Sequence, residues 1–418
     1  MGRSGQLLNF DTKEALSLLN SLVIYRHILK DKVIASFIKA LEDNSVDTYY
    51  EYISLLVEKA HYLGLSGNIF RQYMICTILN DENVFTLACE NQQNVEGSSL
   101  YEYAKKDIRD IYLLCELYTC KLEAFTPVKS LTNAVLSEVE KLSTSKDIMK
   151  ILINHYQKYG VGEMARFRMF SLNDNGILAG VNNPDSTEFD DIIGCESQKN
   201  VLMANVESFL NKKPANNILL AGSRGNGKSS CIKALANKYY SQGLRLVEIQ
   251  KDQTMLLPKL VEKLAARGKF FIIYMDDLSF EQFETQYKYL KSVLEGSAGV
   301  KPDNVLFCAT SNRRNIIKES WDDRNGGGIP TASNDEIHIN DAINEKMSLS
   351  DRFGLTLHFP HINQKEYLQI VTGLAVKYGV STDLKDIHTK ALQWSVEQKR
   401  MSGRTAKQFI HHILGGSK

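Results

Sequence analysis

The chain has 418 residues, of which 43% are hydrophobic and 24% are charged, and its formal net charge is +1. This length exceeds what one hydrophobic core usually serves, so we expect two or three globular domains. The balanced charge lacks the strong basic excess typical of nucleic-acid-binding proteins and leaves room only for a local basic patch.

The seven cysteines are scattered along the chain and include no C-x-x-C pair. This pattern is typical of reduced thiols and argues against a disulfide framework or a zinc site. No stretch has the length of a membrane span, and the first residues lack the apolar core of a signal peptide. We therefore expect a cytoplasmic protein that does not insert into a membrane.

Apolar residues recur at helical spacing from residue 12 to about residue 160, for example at Leu16, Leu19 and Val23. This pattern predicts an all-α N-terminal domain over residues 1–160. Residues 165–170 then alternate in polarity, Asp174-Asn-Gly176 is a tight-turn signal, and an apolar run follows at 177–181. We interpret residues 161–188 as a β-hairpin followed by a polar linker.

From Phe189 onward, short apolar runs alternate with helical patterns. The predicted strands are Asn217–Ala221, Leu244–Gln250, Phe270–Met275, Val305–Thr310 and Leu355–Phe359. Such alternation predicts a three-layer α/β/α core with a parallel five-stranded sheet, which we place at residues 189–362. The Gly-rich segment Asp322–Asn340 is predicted to be a mobile loop, and residues 363–418 are predicted to form a small helical lid.

The segment from Gly222 to Ser229 reads GSRGNGKS and fits the phosphate-binding pattern G-x-x-x-x-G-K-[ST]. A predicted strand before it and a helix after it favour this interpretation over a chance Gly-rich turn. Lys228 would place its charge on the outer phosphates, and the hydroxyl of Ser229 is a ligand for Mg²⁺. The candidate phosphate-binding residues are Gly222, Ser223, Arg224, Gly225, Asn226, Gly227, Lys228, Ser229 and Ser230.

Two carboxylates, Asp276 and Asp277, follow the predicted strand that ends at Met275. In phosphate-loop NTPases the first acid at this place helps to hold Mg²⁺, and the next residue polarises the attacking water. Most such ATPases carry Glu at the second position. Asp is one methylene shorter than Glu, and a misplacement of the catalytic carboxylate by ~1 Å can cost ~10²-fold in rate. Slow hydrolysis of the nucleotide is therefore one hypothesis. The alternative is a capping acid pair without catalytic function.

Three further residues complete the candidate machinery. Asn312 follows another predicted strand and could orient the attacking water, with Thr310 as the alternative. Arg352 precedes the last strand, where an arginine finger would project into a neighbouring subunit; the alternative is a surface pair with Asp351. Arg404 begins a lid helix from which it could reach the phosphates, unless it belongs to a solvated basic turn.

This order of motifs, which opens with Phe189-Asp-Asp-Ile-Ile-Gly194, resembles the AAA+ ATPase module over residues 186–415. The segments Asp276–Phe280, Ala309–Arg314 and Ser348–Gly354 are more closely similar to a family of bacterial predicted AAA+ ATPases without an assigned function. The resemblance implies sheet order 5-1-4-3-2, binding of ATP and ADP with Mg²⁺, and assembly into a homo-oligomer. It also implies that Ile192, Ile193 and Gly194 lie along the adenine.

Three functions remain open at this point. The first is an ATP-hydrolysing switch that self-assembles and remodels a protein partner through the N-terminal helices. The second is a nucleic-acid-linked, helicase-loader-like ATPase, in which Arg313 and Arg314 contact phosphates. The third is a nucleotide sensor with negligible hydrolysis, suggested by Asp277. The segment Gln250–Pro258 contains neither an aromatic residue nor a glycine, which argues against a motor that threads its substrate.

Overall fold

The computed structural model describes residues 11–122, 145–173, 175–278, 290, 293–294, 302–312, 352–380 and 384–416. These residues divide into two compact units. The first contains the described residues up to Arg166 together with Arg267–Lys269, and the second contains Phe167–Ala266 and the described residues from Phe270 onward.

The first unit is built from helices. They are α1 (Thr12–Asn20), α2 (Lys32–Asp43), α3 (Val46–Leu63), α4 (Ile69–Asn80), α5 (Val84–Glu90), α6 (Ser99–Leu117), α7 (Ser145–Tyr159) and the single turn α8 (Glu163–Arg166), with a 3₁₀ turn at Arg26–Lys30. The rings of Tyr52 and Phe70 lie 4.9 and 4.8 Å from that of Phe37 in its core. Apart from the short antiparallel strands β1 (Gly67–Asn68) and β2 (Lys121–Leu122), the described part of this unit is helical, as predicted.

A buried ion pair explains why Arg267–Lys269 cluster with the first unit. The guanidinium of Arg267 donates to both carboxylate oxygens of the fully buried Glu90, at 2.7 and 2.8 Å. The backbone N–H of Gly268 donates to the same carboxylate at 3.2 Å. Several donors are what a buried carboxylate requires, because an unpaired buried charge is costly.

The second unit contains a seven-stranded sheet in the order β4-β3-β6-β7-β8-β5-β9. Its strands are β3 (Met169–Leu172), β4 (Leu178–Gly180), β5 (Ile218–Gly222), β6 (Leu244–Ile249), β7 (Phe270–Met275), β8 (Val305–Ser311) and β9 (Leu355–Phe359). The last five pair in parallel, and their order is the 5-1-4-3-2 arrangement of the AAA+ module. The predicted parallel sheet is therefore confirmed. The hairpin β3–β4 extends it, because β3 pairs in parallel with β6.

Helices cover this sheet. They are α9 (Glu196–Leu210), α10 (Lys228–Tyr239) and α11 (Leu257–Ala265), with 3₁₀ turns at Phe189–Asp191, Tyr240–Gln242 and Lys251–Leu256. Leu202 of α9 and Leu235 of α10 share one core with Leu220 of β5, whereas α11 contacts β8. Neighbouring residues of β5, such as Leu219 and Leu220, are equally buried. Burial on both faces explains why the strands are apolar at consecutive positions.

Three further helices make up the segment predicted as the lid: α12 (Gln364–Lys377), α13 (Leu384–Glu397) and α14 (Gly403–Gly416). Their core is built around Tyr367, Val371, Ala391 and Ile410, and Ile193 packs against it from the segment ahead of α9. The lid thereby reaches the residues that precede the sheet. Within the described part of the chain, no helix is both long enough and apolar enough to cross a membrane.

Candidate functional site

The predicted phosphate loop, Gly222–Ser229, joins the end of β5 to the start of α10. A Cβ atom on Gly222, where φ is +144°, would lie 2.2 Å from the carbonyl oxygen of Phe359, so a side chain does not fit there. Gly227 caps α10 with φ at +88°, a left-handed conformation that glycine adopts without strain. The first N–H groups of α10 have no partners within the helix, which makes this loop a place for an anion.

Lys228 is buried at the centre of the loop, with 5% of its surface exposed. Its Nζ donates to the carbonyl oxygens of Gly222 and Ser223, both at 2.8 Å, and to Oδ1 of Asn312 at 3.3 Å. Burial lowers the pKa of Lys228 to about 8, although the carboxylates of two nearby aspartates act in the opposite direction. The ammonium group of Lys228 is thus held in place by the loop itself. Because its pKa is close to neutral pH, an anion bound in the loop would favour its charged form.

Asp276 accepts three hydrogen bonds at one carboxylate oxygen. The donors to its Oδ1 are Thr310 Oγ1 at 2.5 Å, Tyr274 Oη at 2.7 Å and Ser229 Oγ at 3.0 Å. Burial would raise the pKa of Asp276, but these hydrogen bonds outweigh it, so the pKa lies below its ordinary value. A charged carboxylate and a hydroxyl therefore meet at the end of β7, which is a donor set that suits Mg²⁺.

Asp277 has a left-handed backbone with φ at +53°. Its N–H donates to Thr310 Oγ1 at 2.9 Å, so one threonine hydroxyl contacts both acids of the pair. The carboxylate of Asp277 accepts from Arg224 at 3.1 Å and from the amide of Asn312. Asn312 therefore touches both Asp277 and Lys228, and the two alternatives for the polar residue after β8, Asn312 and Thr310, both lie in the site.

A cavity of about 820 Å³ opens beside these groups, within the size range of small-molecule sites. The residues ahead of α9 form one wall, and α12 forms another through Ile370 and Leu374. The predicted residues that line the cavity are Ile192, Ile193, Gly194, Arg224, Gly225, Asn226, Gly227, Lys228, Ser229, Ser230, Asp276, Asp277, Asn312 and Arg404.

The lid supplies two arginines to the same region. Arg404 lines the cavity, and its backbone N–H points to the carbonyl oxygen of Gly225 at 3.4 Å. Arg400 donates to the carbonyl oxygen of Arg224 and lies in a second hollow with Asp277 and Asn312. No spacing rule links Arg400 to the phosphate loop, so its position here could not be predicted from the sequence.

Arg352 is the one predicted site residue in the described part of the chain that lies far from the cavity. It precedes β9, whereas the phosphate loop follows β5, and these two strands run in parallel. The five residues of β9 span about 16 Å at ~3.3 Å per residue, so Arg352 lies at the opposite edge of the sheet from the phosphate loop of its own chain.

Other features at the phosphate loop carried no signal in the sequence. The hydroxyl of Ser223 lies 3.2 Å from the ring nitrogens of His361, and the amide of Asn226 donates to the carbonyl oxygen of Pro360 at 2.5 Å. Both partners follow β9, so only the pairing of β5 with β9 brings them to the loop. The predicted contacts of Arg313 and Arg314 and the predicted loop Asp322–Asn340 lie outside the described residues.

Comparison with known proteins places this site within one family. The model of the family described as "Protein of unknown function (DUF815)" matches residues 163–417, more than half of the chain. Among solved structures, the Thermotoga maritima RuvB Holliday junction branch migration motor is similar at 13% identity and a TM-score of 0.33, covering 54% of this chain and 71% of its own. No curated protein matches. The chain therefore belongs to the family of proteins of unknown function DUF815, and the matched region contains the seven-stranded sheet and the loop from Gly222 to Ser229.

Proposed function

We propose that this protein binds ATP with Mg²⁺ and hydrolyses it to ADP and phosphate. The observation that carries the proposal is the meeting of Lys228, Ser229, Asp276, Asp277 and Asn312 at one edge of the sheet, around a cavity of suitable size. These residues come from two strand ends and one helix start, and each offers the chemistry that phosphoryl transfer needs.

The side chains present fit a magnesium ion. Ser229 Oγ and Asp276 Oδ1 lie 3.0 Å apart, and both are hard oxygen ligands of the kind that Mg²⁺ prefers. The lowered pKa of Asp276 keeps its carboxylate charged at neutral pH. When bound, Mg²⁺ would neutralise charge on the phosphate oxygens. Tyr274 and Thr310 orient the Asp276 carboxylate from behind.

Each remaining residue has a defined role in the proposal. Lys228 contacts the outer phosphates with its charged amine, and Arg404 approaches them from the lid. Asp277 acts as the base that polarises the attacking water, and Asn312 orients that water from the neighbouring strand. In the structure Asp277 is paired with Arg224. A bound phosphate would compete with Asp277 for the guanidinium of Arg224. Nucleotide binding would therefore free the Asp277 carboxylate to act as a base.

The proposal includes self-assembly. Arg352 lies at the sheet edge opposite its own phosphate loop, so its guanidinium is suited to a neighbour's site and not to its own. In a head-to-tail assembly the arginine of one subunit would stabilise charge on the phosphoryl group bound by the next. The helices of the first unit would then carry the docking surface for a protein partner that the hydrolysis cycle remodels.

The test is a steady-state ATPase assay across protein concentrations. We expect the rate per subunit to rise with concentration, and we expect Lys228→Ala to abolish both nucleotide binding and hydrolysis. Arg352→Ala should lose hydrolysis but keep nucleotide binding. If the wild-type protein retains no labelled ATP, the whole proposal fails. If its rate per subunit does not change with concentration, hydrolysis in self-assembled subunits is contradicted.

A second candidate, a nucleotide sensor with negligible hydrolysis, is favoured by one specific observation. Both carboxylate oxygens of Asp277 are engaged, one by Arg224 and the other by Asn312, and the side chain is shorter than the usual Glu. A carboxylate held in this way is a poor base until it is released. Single-turnover hydrolysis of bound ATP separates the candidates, since a sensor would show only a trace of product and Asp277→Asn would not reduce it further.

A further inference from the structure

The turn that carries Arg352 is held by a buried asparagine at the amino end of β5. Asn217 is 7% exposed, and its Oδ1 accepts from the N–H of Phe307 in β8 at 3.2 Å. Its Nδ2 donates to the carbonyl oxygen of Arg352 at 3.4 Å. Its own carbonyl oxygen accepts from the N–H of Leu355 in β9 at 3.1 Å. One residue thus connects three neighbouring strands at the edge where the arginine lies.

The adjacent residue, Asn216, packs against the same turn. A Cβ atom on Gly354 would lie 2.5 Å from Oδ1 of Asn216, so a side chain at Gly354 would have to displace the Asn216 amide. Asn216 is fixed in turn by Asn205 of α9 through two backbone-to-amide hydrogen bonds of 3.0 and 2.9 Å. The first turn of α9, at Glu196, lines the nucleotide cavity. A continuous set of contacts therefore runs from the cavity wall to the Arg352 turn.

We propose that Asn217 is a positioning residue for hydrolysis in the neighbouring subunit, because it fixes the turn from which Arg352 reaches that subunit's phosphates. This inference rests on the proposed function in its self-assembled form. A rotation of the Asn217 amide would leave the buried N–H of Phe307 without its acceptor, which is costly. The amide is therefore held in the orientation that donates to the carbonyl oxygen of Arg352.

The substitution should affect Arg352 but not the nucleotide site of its own chain. Asn217 lies at the amino end of β5 and the phosphate loop at its carboxyl end, so the length of the strand separates the Asn217 side chain from Lys228. Removal of the amide should leave nucleotide binding unchanged while it displaces Arg352. A displacement of ~1 Å can cost ~10²-fold in rate. We therefore expect Asn217→Ala to lower steady-state hydrolysis by about 10²-fold without a change in the Kd for ATP.

A mixing experiment distinguishes positioning in trans from damage to the subunit's own site. Asn217→Ala keeps its own base but presents a displaced arginine, whereas Asp277→Asn lacks the base but presents an intact arginine. In an equimolar mixture, about a quarter of the interfaces combine an intact site with an intact arginine if subunits associate at random in a head-to-tail assembly. We expect the mixture to recover about that share of wild-type activity, and Arg352→Ala mixed with Asp277→Asn should recover the same share.

The outcomes separate the inference from the function on which it rests. If Arg352→Ala is rescued in the mixture but Asn217→Ala is not, the positioning role is wrong and the assembly stands. If Arg352→Ala is not rescued either, hydrolysis across subunits is wrong. Wild-type hydrolysis by Asn217→Ala would also overturn the positioning role.

Two further variants keep the test valid if Asn217→Ala unfolds. Asn217→Asp keeps an acceptor for the N–H of Phe307 and replaces the amide that donates to the carbonyl oxygen of Arg352, so it should show the same loss and the same rescue. Asn304→Ala removes an amide that donates to the carbonyl oxygen of Leu264 at 2.9 Å, ahead of β8 at the same sheet edge. Alone it should keep wild-type hydrolysis, and in an equimolar mixture with Asp277→Asn it should keep about half, because only half of the sites then carry the base. An equal loss in Asn304→Ala would indicate general destabilisation of this edge and would overturn the specific role.

Discussion

A rise in pH from 7 to 9 is expected to weaken ATP binding about tenfold, because Lys228 loses its charge in the nucleotide-free protein. Burial lowers its pKa to about 8; Asp276 and Asp277 act to raise this pKa, and Arg400 and Arg224 act to lower it further. The charged fraction thus falls from about nine tenths at pH 7 to about one tenth at pH 9. Phosphates favour the charged amine, so a tenfold loss corresponds to about 1.4 kcal/mol.

ATP affinity falls with rising pH because the pKa of Lys228 is lowered in the nucleotide-free protein. The anionic charge of bound phosphates would raise the pKa of the Lys228 amine from about 8, so above pH 8 binding would require the uptake of a proton, and affinity would fall as the proton concentration falls. Cys195 also lines the cavity, but burial raises the pKa of its thiol, so its titration is displaced upward from its ordinary range.

Isothermal titration calorimetry with a non-hydrolysable ATP analogue and Mg²⁺ at pH 7, 8 and 9 measures this change. Repetition in buffers of different ionisation enthalpy measures proton uptake directly. Lys228→Arg keeps its charge across this range and should show no pH dependence, whereas Lys228→Met should bind weakly at every pH. An equal loss of affinity in the wild type and in Lys228→Arg would refute the assignment to this amine.

Three other variants test the remaining parts of the site. Asp277→Asn should lower hydrolysis by ~10²-fold or more while ATP stays bound, as measured by single-turnover kinetics. Thr310→Val removes the hydroxyl that contacts Asp276 and Asp277, so the Mg²⁺ concentration for half-maximal hydrolysis should rise by about 10- to 100-fold in a magnesium titration. Gly222→Ala should destabilise the fold by about 2–4 kcal/mol in urea denaturation, because its Cβ would meet Phe359.

Matched controls accompany these variants. Thr310→Ser keeps the hydroxyl and should need no more Mg²⁺ than the wild type; an equal rise in both variants would exclude the hydrogen bonds as the cause. Gly415→Ala adds a methyl group where no atom lies within 4 Å of the Cβ position, so it should leave stability unchanged or slightly higher. Equal stability of Gly222→Ala and Gly415→Ala would contradict the steric argument. Wild-type turnover in Asp277→Asn would remove that residue as the base.

The sequence by itself determined the sheet core and the placement of the glycine-rich segment Gly222–Ser229 between a strand and a helix. The five parallel strands fall within one residue of their predicted bounds, because strands buried on both faces must be apolar at consecutive positions. The sequence also predicts a phosphate-binding function for this glycine-rich segment. Its glycine pattern with Lys228 and Ser229, between a strand and a helix, is specific for such loops. Asp276 and Asp277 could be assigned because the chain itself places them at the end of a strand.

Only the tertiary structure decided which distant residues meet. Arg224 pairs with Asp277, and Arg400 donates to the phosphate loop. Thr310 contacts both Asp276 and Asp277. Each of these contacts joins residues that are far apart in sequence. The same holds for the attachment of the β3–β4 hairpin to β6. Local periodicity does not specify such contacts, because they depend on strand order and on helix packing, which are set by burial across the whole sheet.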